Sequence, residues 1–138
     1  MAVDKHQIQV EWSSANSISV SAGSGQASDA FDFSDTAFQA MVTLKADNGG
    51  SPADGDTVDF YLLPSAGDPD AEPDSADEFP ADETHGLFLA RLDTYTPGED
   101  PAVACVPIPV AAAGKIYAKN NASSNSITVS ACINEKTA

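Results

Sequence analysis

The densest group of side chains able to do chemistry is an acidic run between residues 65 and 84, holding Asp68, Asp70, Glu72, Asp74, Asp77, Glu78, Asp82 and Glu83. Asp68, Asp70, Glu72 and Asp74 stand at alternate positions, and carboxylate oxygens are what Ca²⁺ collects, about six to eight at a time. Pro69 and Pro73 stiffen the run, however, and the fixed glycine of a helix–loop–helix calcium site is missing. The run reads as a solvated loop, and no metal is assigned to it. His85, beside Gly86 and acidic neighbours, is the one plausible base for a Ser-His-Asp arrangement, but no Gly-x-Ser-x-Gly elbow accompanies it. Paired carboxylates for glycoside hydrolysis arise by chance in a chain with 21 acids, and one Trp and three Tyr make a thin platform for sugar. Gly23-Ser-Gly25 leads into Gln-Ala-Ser-Asp and not into a helix, so it is no phosphate cradle. No catalytic, cofactor-binding or metal-binding residue is assigned, and the expectation is a non-enzymatic protein without a cofactor.

Cys105 and Cys132 both fall in strand-like runs. Their spacing fits no zinc pattern, and His6 and His85 do not complete one. They are expected to be small buried side chains and not a disulfide.

Charge narrows the partners. The net charge is −15, and it is unevenly placed: −3 over residues 1–46, −14 over 47–100 and +2 over 101–138. Phosphate backbones need Lys and Arg to displace their counterions, and the chain holds six in all. Nucleic acid and anionic membranes are therefore excluded as expected partners, whereas solubility or a basic partner surface fits. The first residues, Met-Ala-Val-Asp-Lys-His-Gln, form no apolar signal core, and no stretch approaches the roughly 18–20 apolar residues of a membrane span. Synthesis in a cytoplasm is expected.

The elements that must carry these groups are strands. Residues 16–22 (Asn-Ser-Ile-Ser-Val-Ser-Ala) and 125–131 (Asn-Ser-Ile-Thr-Val-Ser-Ala) are near copies, each alternating apolar and hydroxyl residues as a half-buried strand does. Each follows another alternating run, Gln7–Trp12 and Lys115–Lys119, so twin β-hairpins are expected, either side by side or in different sheets. Trp12 and Tyr117 occupy corresponding arms, and Trp12 is expected as a core or edge residue of the sandwich; the competing possibility is an exposed aromatic that anchors a partner. Thr36–Lys45 places Phe38, Ala40, Val42 and Leu44 on one face. Asn48-Gly49 signals a turn with positive φ. Thr57–Leu63 is a strand stopped by Pro64, and only Phe79 offers the acidic loop an anchor. Gly86–Thr94 is apolar on both faces and is expected to be central, with Arg91 near an edge or paired to a carboxylate. Pro107 and Pro109 put the strand from Ala102 to Val110 at a sheet edge. The sum is one domain over residues 1–138, an all-β, antiparallel two-sheet β-sandwich of jelly-roll or immunoglobulin-like type with about eight or nine strands.

Three segments carry a resemblance: Gly55-Asp-Thr-Val-Asp-Phe-Tyr-Leu-Leu63, Val106-Pro-Ile-Pro-Val110 and the C-terminal stretch from Ile116 to Ala131. With the acidic, Ser/Ala-rich character, they make about half the chain resemble the capsid decoration (cement) proteins of tailed bacteriophages. That resemblance implies a β-sandwich or β-tulip that binds the capsid lattice, often as a trimer, and stiffens it against internal DNA pressure. It implies the major capsid protein and the chain itself, as a homotrimer, as partners, with localisation on the virion surface after synthesis in the host cytoplasm. The likeness includes no site signature, so no functional residue is carried over. The acidic middle is expected to face solvent, and the weakly charged ends the shell. The alternatives are a tail or fibre adhesion module and a bacterial carbohydrate- or surface-binding domain.

Overall fold

The computed structural model describes residues 2–70, 77–96 and 100–138. Ten strands form two antiparallel five-stranded sheets packed face to face. The first sheet has the order β1 (Asp4–Gln9), β10 (Ile127–Thr137), β5 (Ala37–Asp47), β8 (Ala102–Ile108), with β2 (Ile18–Val20) also on β10. The second has the order β3 (Gly25–Ala27), β9 (Ala113–Asn120), β6 (Thr57–Ser65), β7 (Leu87–Asp93), with β4 (Phe31–Asp32) also on β9. The sandwich is as expected, with one or two more strands because β3 and β4 are very short. No helix among the described residues is long and apolar enough to cross a membrane.

The core follows from strand alternation. Ala40, Val42, Leu44 and Ala46 of β5 and Ile127, Val129, Ala131 and Ile133 of β10 point inward and meet Val58, Phe60, Leu62, Ile116 and Ala118 of the second sheet. Burying each large aliphatic chain is worth about 1.5–3 kcal/mol, and this paired face holds the two sheets together.

Neither expected hairpin forms as a ladder. The near copies do lie side by side, because Ile18, Ser19 and Val20 pair with Val129, Thr128 and Ile127. Yet β1 and β2 both run antiparallel to β10 and follow one another along the same strand, which makes them one interrupted edge strand. Between them the chain leaves the sheet as an ear whose tip is a two-residue turn. Trp12 and Ala15 exchange backbone bonds of 2.6 and 3.0 Å, and Ser13 and Ser14 take φ of 50° and 67°. The Asp29 carboxylate accepts from both serine N–H groups and pins the turn. The ear's purpose is to fold Trp12 inward, where it is 1% exposed, so the partner-anchor alternative fails. The second pair of arms is an arch, because β9 and β10 belong to different sheets. Asn120, fully buried, holds that arch by donating to Val20 O and Asn125 O and accepting from Ala122 N.

Four further expectations are corrected. Phe38 is 55% exposed, because the β5–β10 register slips between Lys136 and Thr137 and leaves it as the unpaired bulge residue. The strand β7 is an edge strand, and its Leu87 and Phe88 are exposed; a bulge at Phe60/Tyr61 turns Phe88 onto the Tyr61 ring and away from the core. Asn48 is buried with no positive φ at Gly49, and the chain turns instead at Gly55, φ 92°. Pro107 lies in β8, which is an edge as expected. Pro64 does not stop β6, which runs on to Ser65 beside β9 after its pairing with β7 has ended.

Candidate functional site

The two sheets present outer faces of opposite character. On the first sheet every outward residue of β5 is open: Gln39, Met41, Thr43, Lys45 and Asp47 are all exposed. Beside them stand Thr128, Ser130, Cys132, Asn134 and Lys136 of β10, Lys5, Gln7 and Gln9 of β1, and Val103, Cys105 and Pro107 of β8. Side chains in these rows meet across strands: Lys5 opposite Lys136, Lys136 opposite Gln39, Ser130 opposite Lys45, and Lys45 opposite Val103. Three of the chain's six cations therefore share this face and, among the described residues of its paired strands, only one carboxylate, Asp47, stands at its margin, in a chain with 21 acids. Met41, 42% exposed, and Val103, 60% exposed, add apolar surface. The result is an open, neutral-to-basic platform.

The second sheet's outer face is partly covered, with Phe88 and Arg91 of β7 left exposed on it. Asp59 and Leu63 of β6 point outward, yet they are 6% and 0% exposed, because Arg91 and Asn121 close over Asp59 and the chain around Gly86 packs on Leu63. Phe79, expected as an anchor into a core, instead lies half-buried on the outer face, with Lys115 Nζ 4.8 Å from its ring centre. A single 3₁₀ turn, Glu83–His85, then leads to Gly86, which lies so close to Leu63 that a Cβ there would stand 2.9 Å from Leu63 Cδ2. Beneath the loop, Tyr61 makes edge contacts with Phe88 and Tyr117 at 5.6 and 6.3 Å. Burial, and then the neighbouring Glu83 carboxylate, push the Tyr117 phenol up to about 12. Gly25 leaves room for that ring, since a Cβ there would clash with the phenol. Arg91 meets both expectations at once: it stands on an edge strand and grips Asp59 with two bonds of 2.7 and 2.8 Å. Asn121 Nδ2 also donates to Asp59. The Arg91 bond, aided by Asn121, outweighs burial and holds the Asp59 carboxyl below its ordinary value.

The sequence-level candidates are only partly assembled. Asp68 and Asp70 come together with Glu78, their carboxylate oxygens within 4.8 Å of one another. Glu72 and Asp74 lie outside the described residues. Asp70 and Glu78 face solvent, and no metal is assigned. His85 is exposed at the end of the 3₁₀ turn, and among the described residues no side chain hydrogen-bonds to it; the Asp82 carboxylate is engaged by Thr84 N. Cys105 and Cys132 are both free. They flank Thr43 on adjacent strands, about 9–10 Å apart by two strand spacings, beyond the reach of a disulfide. Cys105 is exposed and not buried as expected, because its position in β8 faces outward.

Two buried carboxylates escaped sequence reasoning. Asp56 accepts from Asn125 Nδ2 at 2.7 Å, Asn48 Nδ2 at 2.9 Å and Ala53 N at 3.0 Å, and Thr94 Oγ donates to the Asp56 carbonyl. Burial raises its carboxyl, but those bonds prevail and leave it lowered. Glu135 occupies an inward position of β10 at 0% exposure, where it accepts from Ser34 N, Ser34 Oγ and His6 Nδ1. Burial again opposes the shift, and the Ser34 and His6 bonds leave it lowered. Both are spent on holding loops and ends together. The open face was also missed, since Lys5, Lys45 and Lys136 are far apart in sequence; their parity against inward Ile8, Leu44 and Ile133 is the signal that finds them.

No family model matches the chain, and no curated protein matches it. Among solved structures, it is similar to a family GH115 4-O-methyl-α-glucuronidase with specificity for decorated arabinogalactans, at a TM-score of 0.47 and 12% identity. The match covers 95% of this chain and 16% of that enzyme, and at this score it carries no argument about activity.

Proposed function

We propose that this chain is a non-enzymatic structural protein of a phage virion that decorates and stabilises the capsid shell. The observation that supports it is the chemical opposition of the two outer faces. One is open and rich in small polar groups, with three lysines and, among the described residues of its strands, one marginal carboxylate. The other is partly covered by an acidic loop whose Asp70, Asp77 and Glu78 face water. In this reading the open face meets the major capsid protein and the loop faces solvent. The polarity expected from segment charges is kept in part. The terminal strands β1 and β10 do build the platform, but Lys115 and Lys119 of the basic end belong to the covered face. The test is co-sedimentation with undecorated phage capsid shells. Saturable binding supports the reading. Absence from shells, with enrichment in tail fractions or a signal on a glycan array, would move the protein to the tail-module or carbohydrate-binding alternatives.

A further inference from the structure

The Lys5–Lys136 pair is the least self-sufficient feature of the open face. The two are direct cross-strand partners, an arrangement in which like charges oppose one another and cost stability. Among the described residues neither has a carboxylate within ion-pair distance. The neighbours that could have neutralised the pair are amides: Gln7, Gln39 and Asn134 occupy the adjacent outward positions. A depression of about 370 Å³ opens there, bounded by Lys5, Lys136, Gln39, Asn134, Met41 and Cys105.

We propose that this depression receives carboxylate side chains of an acidic protein surface. The inference rests on the decoration reading and names the chemistry of the surface that would be decorated. Two ammonium groups supply the charge, and the Gln39 and Asn134 amides supply directional donors. Met41 and Cys105 give the apolar contact common at the centre of protein interfaces. Phosphate recognition favours the planar fork of arginine, and the chain's one arginine, Arg91, is bound to Asp59 on the other sheet. A second copy docked with a two-fold axis through the Lys5–Lys136 pair would set lysines against lysines, so the occupant is not such a mate. The charge on the far side of the molecule does not forbid the approach, because at physiological ionic strength screening acts over about 8 Å.

The test is amide chemical-shift mapping of the isotope-labelled chain at low ionic strength, with an end-blocked glutamate-rich peptide as probe. The expected result is shifts centred on Lys5, Gln39, Asn134 and Lys136, with binding at least tenfold weaker in Lys136→Glu. That variant converts the like pair into an opposite pair, so its thermal midpoint holds or rises while binding is lost, a combination that a merely structural lysine does not give. Should Lys136→Glu misfold, the Lys5→Gln/Lys136→Gln double variant, which keeps side-chain bulk, must lose the shifts. Shifts absent from this face, or unchanged in the variants, overturn the proposal. Equal shifts from sulfate reduce the site to a general anion site and overturn it, and stronger shifts from oligothymidylate overturn it in favour of nucleic acid. Peptide binding here by a chain that fails to co-sediment with shells retires the decoration reading alone. Co-sedimentation with a silent face retires this site alone.

Discussion

The two central strands, β5 and β6, hold equivalent places in their sheets and treat their outer sides in opposite ways. From Gln39 onward β5 alternates strictly, and inward Ala40, Val42, Leu44 and Ala46 are buried while outward Gln39, Met41, Thr43, Lys45 and Asp47 are exposed. In β6, Val58, Asp59, Phe60, Leu62 and Leu63 are buried whichever way they point. A near-continuous apolar strand needs cover on both faces, and on the second sheet the end of the acidic loop supplies it over Leu63 while Arg91 and Asn121 supply it over Asp59. The loop's charge is therefore compatible with a structural duty, because its inner side carries Phe79 and Gly86 against Lys115 and Leu63. One sheet spends its outer face on stability. The other leaves it available.

Substitutions can break or sharpen this contrast. The largest effect is expected at Leu63→Ala, which empties a fully buried site beneath the loop and costs about 2–5 kcal/mol in urea unfolding. The matching outward change on the open sheet, Met41→Ala, stays within about 0.5 kcal/mol. Equal costs would end the distinction between the faces. Next comes Gly25→Ala, whose Cβ displaces the Tyr117 ring and lowers stability by about 1–3 kcal/mol. Ultraviolet titration should then show the Tyr117 phenol ionising below its value of about 12, as its burial is relieved.

A smaller effect, roughly 1 kcal/mol, follows from Asp59→Asn, which breaks a charge-assisted grip on a largely exposed arginine. Its pH signature has a definite sign. A carboxyl held below its ordinary value stabilises the fold above that value, and the contribution fades as pH falls through the lowered one. Asp59→Asn should therefore flatten the acid limb of the stability curve, and a limb identical to the parent's would contradict the assignment. The smallest effect is Lys5→Gln, which relieves the like-charge pair and raises stability by about 0.2–1 kcal/mol.

Much of the frame was legible in the sequence, and the limits have physical causes. Period-two alternation identified β5, and Pro107 placed β8 at an edge. Alternation says which side of a strand is buried but not which strand lies beside it. The near copies at 16–22 and 125–131 do pair, yet each lost its expected hairpin partner. Trp12 draws the first turn into an ear, and Asn120 clamps the second connection as an arch between sheets. The bulge at Phe38 depends on a register slip that no local pattern marks. The polar hub around Asp56 was invisible because Asn48 before Gly49 looks like turn chemistry. The platform itself escaped because segment charges average along the chain, whereas a sheet gathers Lys5, Lys45 and Lys136 from three distant strands.

The most direct measurement is lysine-reactive footprinting of the chain free and bound to shells. The open-face account predicts that Lys5, Lys45 and Lys136 become protected on binding while Lys115 and Lys119 keep their free-state reactivity. Protection of Lys115 and Lys119 with the other three unchanged would contradict it.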